Sequence, residues 1–107
     1  MVLPPRHVYS ARVKNTTSKL VKLHATYAMP NNMEDVEVSV LIQPGESAVL
    51  QQKVVQVEHM ELTAHIRCIA VDGAKLEAPF DGVNSPVKDY SVEIRSDGNI
   101  LQLHGHP

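Results

Sequence analysis

Cysteine is nearly absent from this chain of 107 residues, with Cys68 the only one, so no internal disulfide can hold it together. No tryptophan is present, and aromatics amount to one Phe and three Tyr. The tryptophan and paired cysteines of antibody domains are therefore missing. Glycine is scarce at five residues, and no phosphate-cradling glycine loop or G-x-S-x-G elbow occurs. Excess charge of either sign is also lacking. The 10 Lys and Arg stand against 12 Asp and Glu for a net charge of −2, leaving no broad field to draw nucleic acid or an anionic membrane surface. The longest apolar runs, "VSVLI" and "IAV", fall far short of the roughly 20 residues that cross a bilayer.

These absences set the expectations. "MVLPPRHVYS" has no apolar stretch behind a basic end and so reads as no secretory signal. With a lone cysteine, this predicts a cytoplasmic protein with neither a membrane nor a nucleic-acid partner. At 11.8 kDa the chain suits one domain over residues 1–107, with loose ends at 1–6 and 105–107.

What is present is alternation. In "VYSARVK", Tyr9, Ala11 and Val13 fall opposite Ser10, Arg12 and Lys14, the period of a half-buried strand. "LVKLHATYA" and "EDVEVSVLI" repeat it, separated by "NTTSK", "MPNN" and "QPGE", whose Asn, Thr, Pro and Gly favour turns. "SAVLQQKVVQVEH" is less regular, as a bulge or a strand passing between sheets would make it. "MELTAHIRCIAV" alternates again, which predicts Met60, Leu62, Ala64, Ile66, Cys68 and Ala70 on one face. "DG" at 72–73 announces a return strand in "AKLEAPF", and "SDGN" a hairpin between "KDYSVEIR" and "ILQLH".

No window carries a helical period. The reading is an all-β, single-domain antiparallel β-sandwich of seven or eight strands, with a closed barrel as competitor. The run "VKNTTSKLVKL…PGESAVL", a strand ending in Asn, a polar turn, a return strand and a PGE turn, resembles intracellular immunoglobulin-like sandwiches. That resemblance is to an architecture and not to a family.

Candidate chemistry is sparse. Cys68 follows His65 by three residues, which strict alternation places on opposite faces, so the pair makes no nucleophile and base, and Cys68 is expected in the core. His104 and His106 are two possible zinc or copper ligands, one short of the minimum for a site, and no metal or other cofactor is expected. Arg12, Lys14, Lys22 and His24 fall on the polar sides of what reads as one hairpin and could meet an anionic partner. Glu61, Thr63, His65 and Arg67 line the polar side of a later strand.

With every compact catalytic signature missing, the expected function is non-enzymatic. The chain reads as a module that binds another protein through a sheet edge or a polar face, or pairs with a second copy by its edge strands. The alternative is a small-ligand or metal-binding protein that uses loops at one end or histidines including His104 and His106.

Overall fold

The computed structural model describes residues 7–30, 33–78, 80, 82–83 and 86–107. Residues 1–6, the Asn31–Asn32 part of the expected turn, Pro79, and Asp81, Asn84 and Ser85 of the expected loop lie outside them. Ten strands form among the described residues: β1 (Ala11–Asn15), β2 (Val21–Ala28), β3 (Val36–Ile42), β4 (Ser47–Leu50), β5 (Val54–Val57), β6 (Met60–Thr63), β7 (His65–Val71), β8 (Ala74–Glu77), β9 (Tyr90–Asp97) and β10 (Ile100–His106). Two expected strands are each broken in two. "SAVLQQKVVQV" stops at Leu50 and resumes at Val54, and "MELTAHIRCIAV" is interrupted at Ala64, whose amide turns aside to donate to the Lys53 carbonyl (2.9 Å).

The strands make a sheet in the order β10-β9-β1-β4, another in the order β3-β2-β7-β8, and a separate hairpin of β5 and β6. Alternation puts Ala11, Val13, Val92 and Ile94 of the first sheet, and Leu23, Ala25, Tyr27 and Ile69 of the second, into one buried apolar cluster. The burial of such side chains, each worth about 1.5–3 kcal/mol, drives the two sheets together. All sheet pairings are antiparallel but one: β1 runs parallel to β9, which corrects the purely antiparallel expectation.

A second correction concerns the start of the chain. β1 and β2 are not a hairpin, since β1 pairs with β4 and β9, while β2 pairs with β3 and β7. The Asn15–Leu20 segment crosses from one sheet to the other, and its polar side chains are what make the crossing. The fully buried Asn15 side chain donates from Nδ2 to the carbonyls of Lys19 (2.8 Å) and Ile42 (2.9 Å). Its Oδ1 accepts from the backbone amide (2.9 Å) and hydroxyl (2.6 Å) of Thr17. The Asn15 backbone also accepts from Gly45 (2.8 Å) and donates to Glu46 (2.9 Å). Gly45 adopts φ 79°, the conformation that a Pro-Gly turn requires of its second central residue.

At the other end of the chain β10 runs on to His106, so residues 105 and 106 are paired with Val92 and Ser91 and are not loose. Gly105 is needed there. A Cβ on it would lie 2.6 Å from the Tyr90 ring and hydroxyl, so the aromatic side chain rests on bare backbone.

Two stability outcomes follow. Asn15→Ala removes the side-chain partner of four polar groups and should cost about 2–4 kcal/mol, lowering Tm by on the order of 10–20 °C in thermal melts. Gly105→Ala should cost about 1–3 kcal/mol by overpacking against Tyr90, a loss that the double variant with Tyr90→Leu should largely remove.

Candidate functional site

Register decides which of the sequence candidates share a surface. Across the first sheet the rows read His104–Glu93–Lys14–Ser47 and His106–Ser91–Arg12–Val49. Arg12 and Lys14 thus lie on its outer face with the two C-terminal histidines, a grouping that sequence spacing did not show. Lys22 and His24 lie on the outer face of the other sheet, in rows with Leu41, Ser39 and Ala70. The expected four-residue face of Arg12, Lys14, Lys22 and His24 is therefore split between opposite sides of the molecule. Its premise was the β1–β2 hairpin, and that hairpin does not exist.

Glu61, His65 and Arg67 do not form a single row either. Glu61 pairs with Gln56 in the β5–β6 hairpin, whereas His65 and Arg67 belong to β7 in the main sheet. Here the ladder slips: Thr26 opposes Cys68 but Tyr27 opposes Ile66, so Arg67 is the extra residue of a β-bulge. A bulge reverses the inward phase of everything after it. Ala64 and Ile66 point into the core before it, Ile69 and Val71 after it, and all four are buried.

Cys68 is accordingly not a core residue. It is half-buried, turned to the outer side of the sheet with His65, between Thr26 on β2 and Glu77 on β8. Even so, it forms no dyad. No hydrogen bond joins the two side chains, and burial first, then the Glu77 carboxylate, push the thiol pKa up against the smaller effect of Lys75. A thiol held in its protonated form is a poor nucleophile.

The bulge aims the Arg67 guanidinium at Asp35, with which it forms an ion pair. Beside them the His7 and His65 rings stack, with centroids 3.8 Å apart and planes 4° from parallel, and Tyr9 meets His7 edge-on at 5.9 Å. The stack covers the place where the N-terminal segment is tied down. Ile66 donates to the Val8 carbonyl (2.7 Å), and Val87 both donates to His7 (2.9 Å) and accepts from Tyr9 (2.9 Å). Partial burial, then the His7 and Arg67 charges, lower the His65 pKa, while Asp35 opposes them.

On the outer face of the first sheet, Arg95 donates two hydrogen bonds to the Glu93 carboxylate (3.1 and 2.9 Å). Arg95 chiefly, then His106 and Lys14, hold that carboxyl below its ordinary pKa. His104 lies 3.3 Å from the Gln102 amide oxygen and His106 contacts the Pro107 carbonyl at 3.2 Å. Among the described residues no three of His, Cys, Asp and Glu converge as a metal ion would require. Among the described residues no helix is long and apolar enough to cross a membrane.

The four sheet edges differ in their protection. Strand edges are normally blunted by shortness, charge, proline, bulges or cover. β4 has four residues; β8 has four and carries the Lys75–Glu77 ion pair (2.7 Å). β10 approaches β8 across the seam between the sheets. β3 is more thinly protected: it is seven residues long, "VEVSVLI", with Glu37 its only charge and an unbroken register to β2, and it meets β4 across the opposite seam. Leu41 (63% exposed) and Val36 (37% exposed) stand at its two ends. Sequence reading found the strand but not its edge position, because strand order leaves no mark on periodicity.

A pH dependence follows from the histidine stack. Because the His65 pKa is lower in the folded protein than in the unfolded chain, its contribution is complete above the ordinary value of 6.5 and is lost as pH falls through the folded value. Melts between pH 7.5 and 5.5, which bracket the value of about 6.5 for a free histidine, should show Tm declining toward acid, and His65→Gln should flatten that slope. No family model, no curated protein and no solved structure matches this chain.

Proposed function

We propose that this chain is a non-enzymatic, cytoplasmic interaction module, an immunoglobulin-like β-sandwich that captures an extended segment of a partner protein along β3. The observation that carries the reading is the thinly protected β3 edge. Its outward backbone groups have no neighbouring strand among the described residues, and an incoming strand would satisfy them by main-chain hydrogen bonds, while alternate side-chain positions would give specificity. Glu37, Ser39 and Leu41 face outward on the strand, and Leu41 stands beside Lys22 and Ser39 beside His24. The Ser39 hydroxyl and His24 Nδ1 lie 3.0 Å apart. The edge thus offers one apolar contact and one carboxylate to an added strand that carries an apolar residue and a cation at matching positions.

Two further observations support a binding role over catalysis. Burial and the Glu77 carboxylate push the pKa of the one thiol up, and the sheets share a cluster that contains the large buried side chains. A second copy could also use the edge, pairing β3 with β3 in a symmetric dimer.

The test uses Val36→Lys/Glu37→Lys, which places a lysine pointing inward at the edge and reverses its only charge. Partners captured from native lysate by the wild type should be lost by this variant at unchanged Tm, and kept by Arg12→Glu. In the complex, hydrogen exchange should slow across residues 36–42. Partners that survive the edge variant, or protection confined to another strand, would overturn the reading. Sedimentation of the isolated protein separates self-pairing from capture of another chain.

A further inference from the structure

The end of the molecule that holds the Asn15 crossing also holds a trough. Two hollows, of about 360 Å³ and about 440 Å³, share Leu20, Val21, Asp72 and Leu101 in their walls and so run into one another. The β1–β2 crossing supplies one side, the Asp72 turn another, and the β9–β10 turn with Asn99 closes the first hollow. Either hollow is within the size range of ligand clefts.

Its chemistry is amphipathic. Leu20 is 50% exposed, an apolar surface left to solvent, and Leu101 is half-buried beside it. Lys19 lines the first hollow, Lys22 and His24 the second. Neither lysine takes part in an ion pair among the described residues. Asp72 is the one carboxylate in the walls.

The backbone under the cations is already fixed, because the Lys19 carbonyl accepts from both Asn15 Nδ2 (2.8 Å) and Thr17 Oγ1 (3.1 Å). A wall that need not be ordered on binding loses less entropy when a ligand arrives. No Phe, Tyr or Trp lines either hollow, which leaves stacked bases no large aromatic platform.

We propose that this trough is a second binding site, for an acidic peptide segment carrying one apolar anchor residue. The anchor lies against Leu20 and Leu101, and carboxylates on either side of it reach Lys19 and Lys22. The join between the two hollows suits an extended segment, and the pair of unpaired lysines in a chain of net charge −2 supplies the charge complementarity. Asp72 limits the affinity by repelling the same carboxylates. The site goes beyond strand addition at β3 and does not depend on it. Its cations lie next to the Leu41 end of that strand, opposite in register to Val36.

Fluorescence anisotropy tests this on the full chain, using a labelled decapeptide of alternating Glu and Ser around one central Leu. Binding should weaken with added salt, fall about tenfold or more in Lys19→Glu/Lys22→Glu, and fall in Leu20→Ser; about tenfold corresponds to 1.4 kcal/mol. Asp72→Asn should tighten it, and the edge variant Val36→Lys/Glu37→Lys should leave it unchanged. Equal melting temperatures for the variants confirm that folding is not the cause.

No binding at about 1 mM peptide, a free energy near −4 kcal/mol, would overturn the proposal. So would equal binding of a peptide with Ser in place of Leu, or tighter binding of a Lys-for-Glu peptide. Self-association of the protein that Lys19→Glu/Lys22→Glu abolishes would give the trough to a second copy instead.

Discussion

The Asn15 side chain ties together parts of the structure that the backbone alone would leave independent. A strand ladder satisfies its own sheet, but nothing in a ladder holds one sheet against another except apolar contact, which is not directional. Asn15 ends a strand of the first sheet and donates to the Ile42 carbonyl at the end of a strand in the second. Asn15 also fixes Thr17 and Lys19, and its backbone fixes the Gly45 turn, so this residue helps to set the offset between the sheets. A second directional tie is the Tyr27 hydroxyl, which donates to the Gln51 carbonyl beyond β4 (2.7 Å). Buried and fully bonded, Asn15 adds specificity that a leucine of similar size could not. The trough stands on the same residue, since the Lys19 backbone that forms its wall hangs from the Asn15 amide.

Much of the fold was legible because alternation is dictated by geometry. The inward faces of β1, β2 and β9 follow the sequence pattern residue by residue, and the Pro44-Gly45, Asp72-Gly73 and Gly98-Asn99 steps turn the chain where turn chemistry says they should. The partition of strands between sheets was not legible. "VKNTTSKLVK" reads equally as a hairpin or a crossing, because both need polar residues between alternating strands. That ambiguity alone put Arg12 and Lys14 on the same surface as Lys22 and His24.

The bulge at Arg67 misled in another way, and here a signal was available. Ile66, Ile69 and Val71 are the large β-branched residues of that strand, and a spacing of three between the first two cannot fit a period of two. Small residues hid it: Cys68 and Ala70 are apolar enough to pass as inward positions. Weighing side-chain volume along with polarity would have turned the phase at residue 67 and placed Cys68 outside. The Arg67–Asp35 pair and the histidine stack both lie at this irregularity, where a bulge re-aims side chains that a regular ladder would hold in rows.

The edges extend the same reasoning from single residues to surfaces. A sheet edge left open attracts any strand, so an edge without protection is either a hazard or a use. Here protection is uneven. β8 and β10 approach each other along one seam, and β8 adds an ion pair, whereas on the other side the longer edge strand, β3, carries a single carboxylate. Of the four edge strands only β8 carries a lysine; β3, β4 and β10 carry none. A chain that needed only to stay monomeric would gain from one lysine at Ser39 or Leu41, where exposed side chains would accept it with little cost in packing. Its absence, with Leu41 left bare to solvent, is the observation from which strand addition at β3 is proposed.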